Sequence, residues 1–255
     1  TVTGEKIRIW EVGEYSYPGA YGFVPFMVSY IHDDDEIRPG MLIAPGGAYR
    51  YASPSEAHLP AMQFYRGGYN VFVLAYTVNY LNKPLKLQPL HDIARAVRIV
   101  RKNCKKYHID PQKLAMCGFS VRPNAALLWY PVITSGEYAN QESFRALLGE
   151  NPDPEELEYM SLEKHVNGDV PPCFIWQTVT DASVPVENSY LFAGACKEAG
   201  VPYAHHVFSR GRHGMSVATE EWLERDFGQP YTLEQIRLLA EAVRAGKTSL
   251  PSEAA

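Results

Sequence analysis

The feature that most constrains this chain is an alternation of short apolar stretches with amphipathic ones over roughly 200 residues. Strands are predicted at 6–10, 24–31, 41–44, 70–76, 113–117, 125–133, 173–178 and 203–208. Helices are predicted at 53–66, 88–107 and 186–199, with further helical stretches at 218–225 and 232–245. Such alternation indicates an α/β fold, in which a mostly parallel sheet carries helices on both faces.

Size and charge narrow the class of protein further. With 255 residues and no internal repeat or linker, the chain fits a single domain spanning residues 1–255. The acidic stretch 151–165 is a candidate cap segment.

A net charge of -5 argues against a nucleic-acid partner. No apolar run approaches the ~18 residues of a membrane helix, and no signal peptide is seen, so we expect a cytoplasmic protein. The sequence does not decide the oligomeric state, so a homo-oligomer remains an alternative to a monomer.

Three predicted strands end next to a serine, an aspartate and a histidine. Ser120 follows the strand at 113–117, Asp181 follows 173–178, and His213 follows 203–208. Ligands of open α/β sheets bind beyond the carboxyl ends of the strands, where these three residues would meet. Each of these residues, taken alone, can be explained as a turn or loop residue without a catalytic role. Their joint placement, in the order Ser, Asp, His, predicts a catalytic triad.

The chemistry of such a triad assigns one role to each residue. A serine hydroxyl is a weak nucleophile that needs an adjacent base, so Ser120 would attack the substrate while His213 takes its proton. Asp181 would orient the imidazole and stabilise its cation. Donors for an oxyanion are expected from the backbone of Gly46 and Gly47 and from the amide of Val121. Ala48 and Tyr49 are candidate substrate-binding residues.

No pattern in the sequence indicates a metal site or an organic cofactor. The four cysteines form no C-x-x-C pair, and their spacing suggests neither zinc nor a disulfide framework. His205 and His206 are adjacent on a predicted strand, so they face opposite sides and cannot bind one metal together.

The chain resembles the acetylesterase and acetyl-xylan-esterase-like α/β-hydrolases of the BD-FAE type. The resemblance covers most of the chain and is carried by PGGAYRYASPSE (45–56), GYNVFVLAYTVN (68–79), HDIARAVRIVRKN (91–103), IDPQKLAMCGFS (109–120), YPVITSGEY (130–138), DASVPVENS (181–189) and SRGRHGMSVA (209–218). It implies hydrolysis of short acyl esters, such as acetate on sugars, by the same triad. The implied partner is a small-molecule ester or an acetylated sugar.

One departure from the family lies directly after Ser120. The family's elbow is similar to G-F-S-A-G-G-H followed by a long helix, whereas here Arg122 replaces the second glycine of G-x-S-x-G. A block of two to three dozen residues, the nucleophile-elbow helix, is missing before the next strand. Parallel strands need a crossover of about a dozen residues. We therefore expect that the strands at 113–117 and 125–133 are not parallel neighbours joined by residues 121–124.

Three explanations of this departure stay open, and they lead to different functions. The first, which we favour, is that the sequence as read omits a block of residues. The second is that the gene lacks the helix, and the third is that the protein is a degenerate, inactive family member. The leading hypothesis is a serine esterase acting on acetylated carbohydrates. One alternative is an inactive α/β-hydrolase-like binding protein. Another is a peptidase of the prolyl-oligopeptidase-like branch, which shares the elbow and the residue order.

Overall fold

The computed structural model describes residues 4–80, 83–118, 124–228 and 233–248. Its strands are β1 Glu5–Arg8, β2 Phe26–Tyr30, β3 Arg38–Ile43, β4 Asn70–Ala75, β5 Ile109–Cys117, β6 Ala125–Trp129, β7 Cys173–Thr178 and β8 Tyr203–Phe208. Its helices are α1 His58–Arg66, α2 Gln88–Lys102, α3 Gln141–Leu148, α4 Pro154–Tyr159, α5 Glu187–Glu198, α6 Glu220–Leu223 and α7 Leu233–Arg244.

All eight strands form one sheet, in the order β1-β2-β4-β3-β5-β6-β7-β8. The pairs β1–β2 and β2–β4 are antiparallel, and every pair from β4 to β8 is parallel. The prediction of a mostly parallel α/β sheet is therefore confirmed. A consequence for function is that β3, β5, β6, β7 and β8 all end at the same edge of the sheet.

The core explains why the central strands are so apolar. All six residues of β4 are buried, because helices or loops cover both faces of the sheet there. Helix α2 turns an apolar stripe toward the sheet, including Ile93, Val97 and Val100. Its buried Asp92 accepts hydrogen bonds from Trp10 Nε1, Gln88 Nε2 and both the amide and hydroxyl of Thr77. These bonds tie α2 to the strand edge.

Several predicted boundaries are corrected by the structure. The helix predicted at 53–66 is a short 3-10 turn, Pro54–Glu56, followed by α1, and Ser53 makes no side-chain cap. The strand predicted at 125–133 ends at Trp129, because Tyr130 takes a left-handed φ of 38° that no strand tolerates. Helix α3 was not predicted; its N-cap is Asn140, whose side chain accepts from the amide of Ser143.

The expectation that the fifth and sixth strands are not parallel neighbours is wrong. They pair in parallel, with Ala115 opposite Ala125 and Cys117 opposite Leu127. Because β6 begins opposite Ala115, near the end of β5, the chain returns by only about four residues of strand rise, roughly 13 Å. The six steps from Gly118 to Asn124 can reach about 20 Å. That length is enough to join the two described ends.

The segment 151–165 contains α4 and a 3-10 turn, Leu162–His165. It packs on the loop after β6: the hydroxyl of Ser135 lies 2.7 Å from that of Ser161 and also from the carbonyl of Leu157. Its residues therefore do not line the main cleft of the described structure. No helix in the described ranges is long and apolar enough to cross a bilayer.

Candidate active site

A cleft of about 820 Å³ opens at the carboxyl edge of the sheet. Its walls come from the loop after β3, the ends of β5 and β6, the start of α3 and the loops after β7 and β8. Predicted site residues among its lining are Gly46, Gly47, Ala48, Tyr49 and His213. These five residues therefore surround one cavity.

Asp181 and His213 are in direct contact at this cleft. The Nδ1 atom of His213 lies 2.8 Å from Oδ2 of Asp181. The Asp181 side chain is 1% exposed, whereas that of His213 is 32% exposed. Oδ1 of Asp181 accepts from the amides of Ser183 and Val184, both at 2.9 Å. The carboxylate is therefore fixed from one side and available to the imidazole from the other.

The loop after β8 that carries His213 is tied to the end of β7. The hydroxyls of Thr178 and Thr180 both donate to the carbonyl of Gly211, and the Gly211 amide donates back to Thr180. A Cβ on Gly211 would lie 2.6 Å from the Thr178 side chain, so only glycine fits this crossing. These contacts place His213 over Asp181.

The loop after β3 turns sharply through residues 47–49. Gly47 has φ of 128°, and Ala48 and Tyr49 have left-handed φ values of 47° and 59°. A Cβ on Gly47 would lie 2.2 Å from the carbonyl oxygen of Tyr51, which excludes any other residue without backbone movement. Among the described groups, nothing accepts from the amides of Gly47 and Ala48. These two donors are suited to a developing oxyanion.

The amide of Gly46 behaves differently from the expected oxyanion donor. It donates to Oε2 of Glu56 at 2.6 Å. The Oε1 atom of the same carboxylate accepts from the hydroxyl of Tyr130 at 2.8 Å. Gly46 is therefore engaged inside the protein, and the loop offers the amide of Ala48 beside that of Gly47, which the sequence also predicted.

The remaining predicted residues, Ser120 and Val121, lie outside the described residues. The last described residue before them, Gly118, lines the cleft with His213. Its φ is 112°, and a Cβ there would lie 2.3 Å from the carbonyl oxygen of Ala44. Gly118 therefore lies beside the end of β3, at the wall of the cleft.

Burial shapes the electrostatics of the cleft floor. Burial raises the pKa of Tyr49 to about 12. Burial, with the Glu56 carboxylate as a second cause, also raises the pKa values of Tyr130 and Cys117 above their ordinary range. Cys117 is therefore a neutral buried thiol rather than a nucleophile. Among the described residues, no cluster of His, Cys, Asp and Glu could hold a metal ion.

Sequence reasoning missed two residues of this site, Glu56 and Tyr130. Glu56 stands just ahead of α1, where a carboxylate is expected to favour the helix dipole, and that ordinary role concealed its place in the cleft. Tyr130 was taken as part of a strand. The one available signal was the position of both residues at the carboxyl edge of the predicted sheet.

The sheet order, the Asp181–His213 pair and the glycine loop together define an α/β-hydrolase. A family model described as "Prolyl oligopeptidase family" matches residues 117–228. The solved structure of an acetyl ester-xyloside bifunctional hydrolase from Caldicellulosiruptor lactoaceticus superimposes with a TM-score of 0.79 and 33% identity. That match covers 97% of this chain and 98% of the other.

Two curated relatives point to the same group. Endo-1,4-beta-xylanase B of Butyrivibrio fibrisolvens is 47% identical over 256 residues, or 89% of this chain. Acetylxylan esterase of Xylanibacter ruminicola is 27% identical over 197 residues, or 69% of this chain. The chain spans 40% of the length of each relative. It belongs to the acetylesterase and acetyl-xylan-esterase-like family of α/β-hydrolases.

The alignment with the xylanase also bears on the block that the family resemblance indicates to be missing. It runs over 256 residues but takes in 89% of a 255-residue chain, which is about 227 residues. About 29 aligned positions of the relative therefore have no counterpart here. This number fits the two to three dozen residues that the family resemblance indicates to be absent.

Proposed function

We propose that the chain hydrolyses short acyl esters, acetate above all, on xylan-derived carbohydrates. The observation that carries this proposal is the hydrogen bond between His213 and the buried Asp181 at the mouth of the cleft. The names of the relatives, an acetylxylan esterase and an acetyl ester-xyloside hydrolase, supply the substrate class.

In the proposed mechanism, Ser120 Oγ attacks the acetyl carbonyl while Nε2 of His213 takes its proton. The amides of Gly47 and Ala48, with that of Val121, stabilise the oxyanion of the tetrahedral intermediate. The intermediate collapses, and His213 returns the proton to the departing sugar hydroxyl. Water then attacks the acetyl-Ser120 ester, His213 takes a proton from it, and acetate leaves as Ser120 regains its hydrogen. Asp181 stays ionised throughout and stabilises the imidazolium.

The direct test compares wild-type protein with Ser120→Ala on p-nitrophenyl acetate and acetylated xylo-oligosaccharides. We expect a loss of about 10⁴-fold or more in kcat for both substrates. Ser16→Ala is the matched control, because Ser16 is exposed and lies outside the cleft. Equal turnover by Ser120→Ala and wild type would refute the proposal.

A second candidate is a binding protein without catalytic activity, and the altered sequence after Ser120 favours it. A fluorophosphonate probe separates the two candidates, since covalent labelling requires an activated serine. Labelling of Ser120, located by peptide mass, excludes the inactive protein; no labelling of a folded wild-type sample supports it. The intact mass of the purified protein shows whether the block is absent from the molecule itself.

A peptidase is a third candidate, favoured by the family model that matches residues 117–228. Esters and amides use the same triad, so the catalytic residues do not distinguish these activities. Turnover of a peptide p-nitroanilide is therefore compared with turnover of p-nitrophenyl acetate. A higher kcat/KM for the peptide would replace the esterase proposal.

A further inference from the structure

Glu56 joins two loops of the cleft through its two carboxylate oxygens. Oε2 accepts from the amide of Gly46 in the loop after β3, at 2.6 Å. Oε1 accepts from the hydroxyl of Tyr130, directly after β6, at 2.8 Å. A Cβ on Gly46 would lie 2.7 Å from Oε2, so the glycine permits this close approach of backbone and carboxylate.

Tyr130 extends this connection to the loop that carries His213. Its hydroxyl oxygen accepts from the amide of Ser216 at 3.2 Å. Its ring meets the imidazole of His213 edge-on, with ring centres 4.7 Å apart. Tyr130 holds a left-handed φ of 38°, a strained conformation for a bulky residue. Strain of this kind persists only where surrounding contacts enforce it.

The carboxylate of Glu56 has no other evident use within the described part of the chain. No Lys, Arg or His there lies within ion-pair distance of it. Glu56 instead lines the cleft wall, half-buried, and both its oxygens accept from neutral donors. A charged acceptor makes these hydrogen bonds stronger than neutral ones.

We propose that Glu56 is a positioning residue that fixes the oxyanion loop relative to the His213 loop. This inference rests on the proposed function. Beside the engaged Gly46, the amides of Gly47 and Ala48 on the cleft wall have no acceptor among the described residues. Holding Tyr130 keeps its ring against His213. A donor placed about 1 Å away from the oxyanion loses much of its effect on the transition state.

A glutamine at position 56 tests the need for two acceptors. Its carbonyl oxygen can accept from Gly46 or Tyr130, but its NH₂ group then faces the other donor. We expect Glu56→Gln to lower kcat for p-nitrophenyl acetate by about 10- to 100-fold, with KM changed less than about 3-fold, because the oxyanion contact strengthens only in the transition state. Glu155→Gln, on exposed α4, is the control for loss of one negative charge.

Tyr130→Phe removes the hydrogen bond to Glu56 and the one from the Ser216 amide, and leaves the bond from Gly46 to Glu56. Because both substitutions break one network, the effects of Glu56→Gln and Tyr130→Phe on kcat should be less than additive in the double variant. Melting curves of each variant establish that the assayed protein is folded. The inference is overturned if the wild type is active and Glu56→Gln keeps its full kcat, or if its kcat/KM falls only through a higher KM. The proposed function would still stand in that case.

A second measurement does not depend on turnover. In ¹⁵N-glycine-labelled protein, the Gly46 amide proton should resonate far downfield and exchange slowly, since it donates to a carboxylate at 2.6 Å. Glu56→Gln should move this resonance upfield and speed its exchange, because a neutral amide oxygen is a weaker acceptor than a carboxylate. An unchanged Gly46 resonance would overturn the inference even in a protein without esterase activity.

Discussion

His213 Nδ1 lies 2.8 Å from Asp181 Oδ2, and the other oxygen of that carboxylate is held by the amides of Ser183 and Val184. Asp181 is thus preorganised before any substrate binds. The His213 side chain bridges this buried group and the open cleft. Its Nε2 atom has no partner among the described residues and is available to a nucleophile.

Asp181→Asn removes the negative charge of this side chain and keeps its shape. The asparagine oxygen can still accept from the two amides, but its NH₂ then faces Nδ1 and imposes the wrong imidazole tautomer. We expect kcat to fall by about 10⁴-fold while KM changes little, measured with p-nitrophenyl acetate. Asp33→Asn, in an exposed turn, should leave kcat unchanged. A loss below about tenfold would contradict the assigned role.

Gly47→Ala tests the oxyanion loop. The new Cβ would lie 2.2 Å from the Tyr51 carbonyl oxygen, so the backbone around the two free amides must move. We expect kcat to fall by about 10²-fold or more, as for loss of one oxyanion donor. Gly13→Ala is the matched control: Gly13 also has a positive φ, of 88°, but nothing lies within 4 Å of its Cβ position. Similar kcat values for the two variants would remove the oxyanion loop from the mechanism.

The sequence predicted β7 and β8 to the residue, because both are short apolar strands with clear turn residues at their ends. It also predicted the meeting of Asp181 with His213, since parallel strands bring their carboxyl ends to one edge. The prediction that β5 and β6 are not parallel neighbours was wrong, because it was argued from the length of a whole strand. The distance that the chain must return depends instead on the register of the two strands. It missed the bonds from Glu56 to Gly46 and Tyr130, since no local pattern shows which loops meet across a cleft.

Asp92 is predicted to be a structural carboxylate with no part in turnover. It accepts four hydrogen bonds, and burial raises its pKa above the ordinary value despite them. Asp92→Ala leaves buried donors of Trp10 and Thr77 without their acceptor, so we expect the free energy of unfolding to fall by about 3 kcal/mol. Urea denaturation measures this loss. A change below about 1 kcal/mol would show that water or rearranged side chains replace the carboxylate.

His205 should remain neutral to a lower pH than an ordinary histidine. Burial lowers its pKa, and the adjacent His206 lowers it further. The hydroxyl of Ser189 donates to the carbonyl of Val186 and so accepts from Nε2 of His205, which fixes the neutral tautomer with hydrogen on Nε2. By NMR, the imidazole resonance should titrate with a midpoint below the ordinary histidine pKa of 6.5.

The sign of the stability effect follows from this lowered pKa. The unfolded chain binds the proton first as the pH falls, so the contribution of neutral His205 is present above about pH 6.5 and is lost as the pH drops through the folded-state pKa. His205→Gln should therefore lose less stability than wild type between pH 7.5 and pH 5. The difference should be only a few tenths of a kcal/mol, because the ring is partly solvated. His91→Gln, on the exposed face of α2, should follow wild type. A wild-type midpoint at or above 6.5 would show that burial and His206 do not hold His205 neutral.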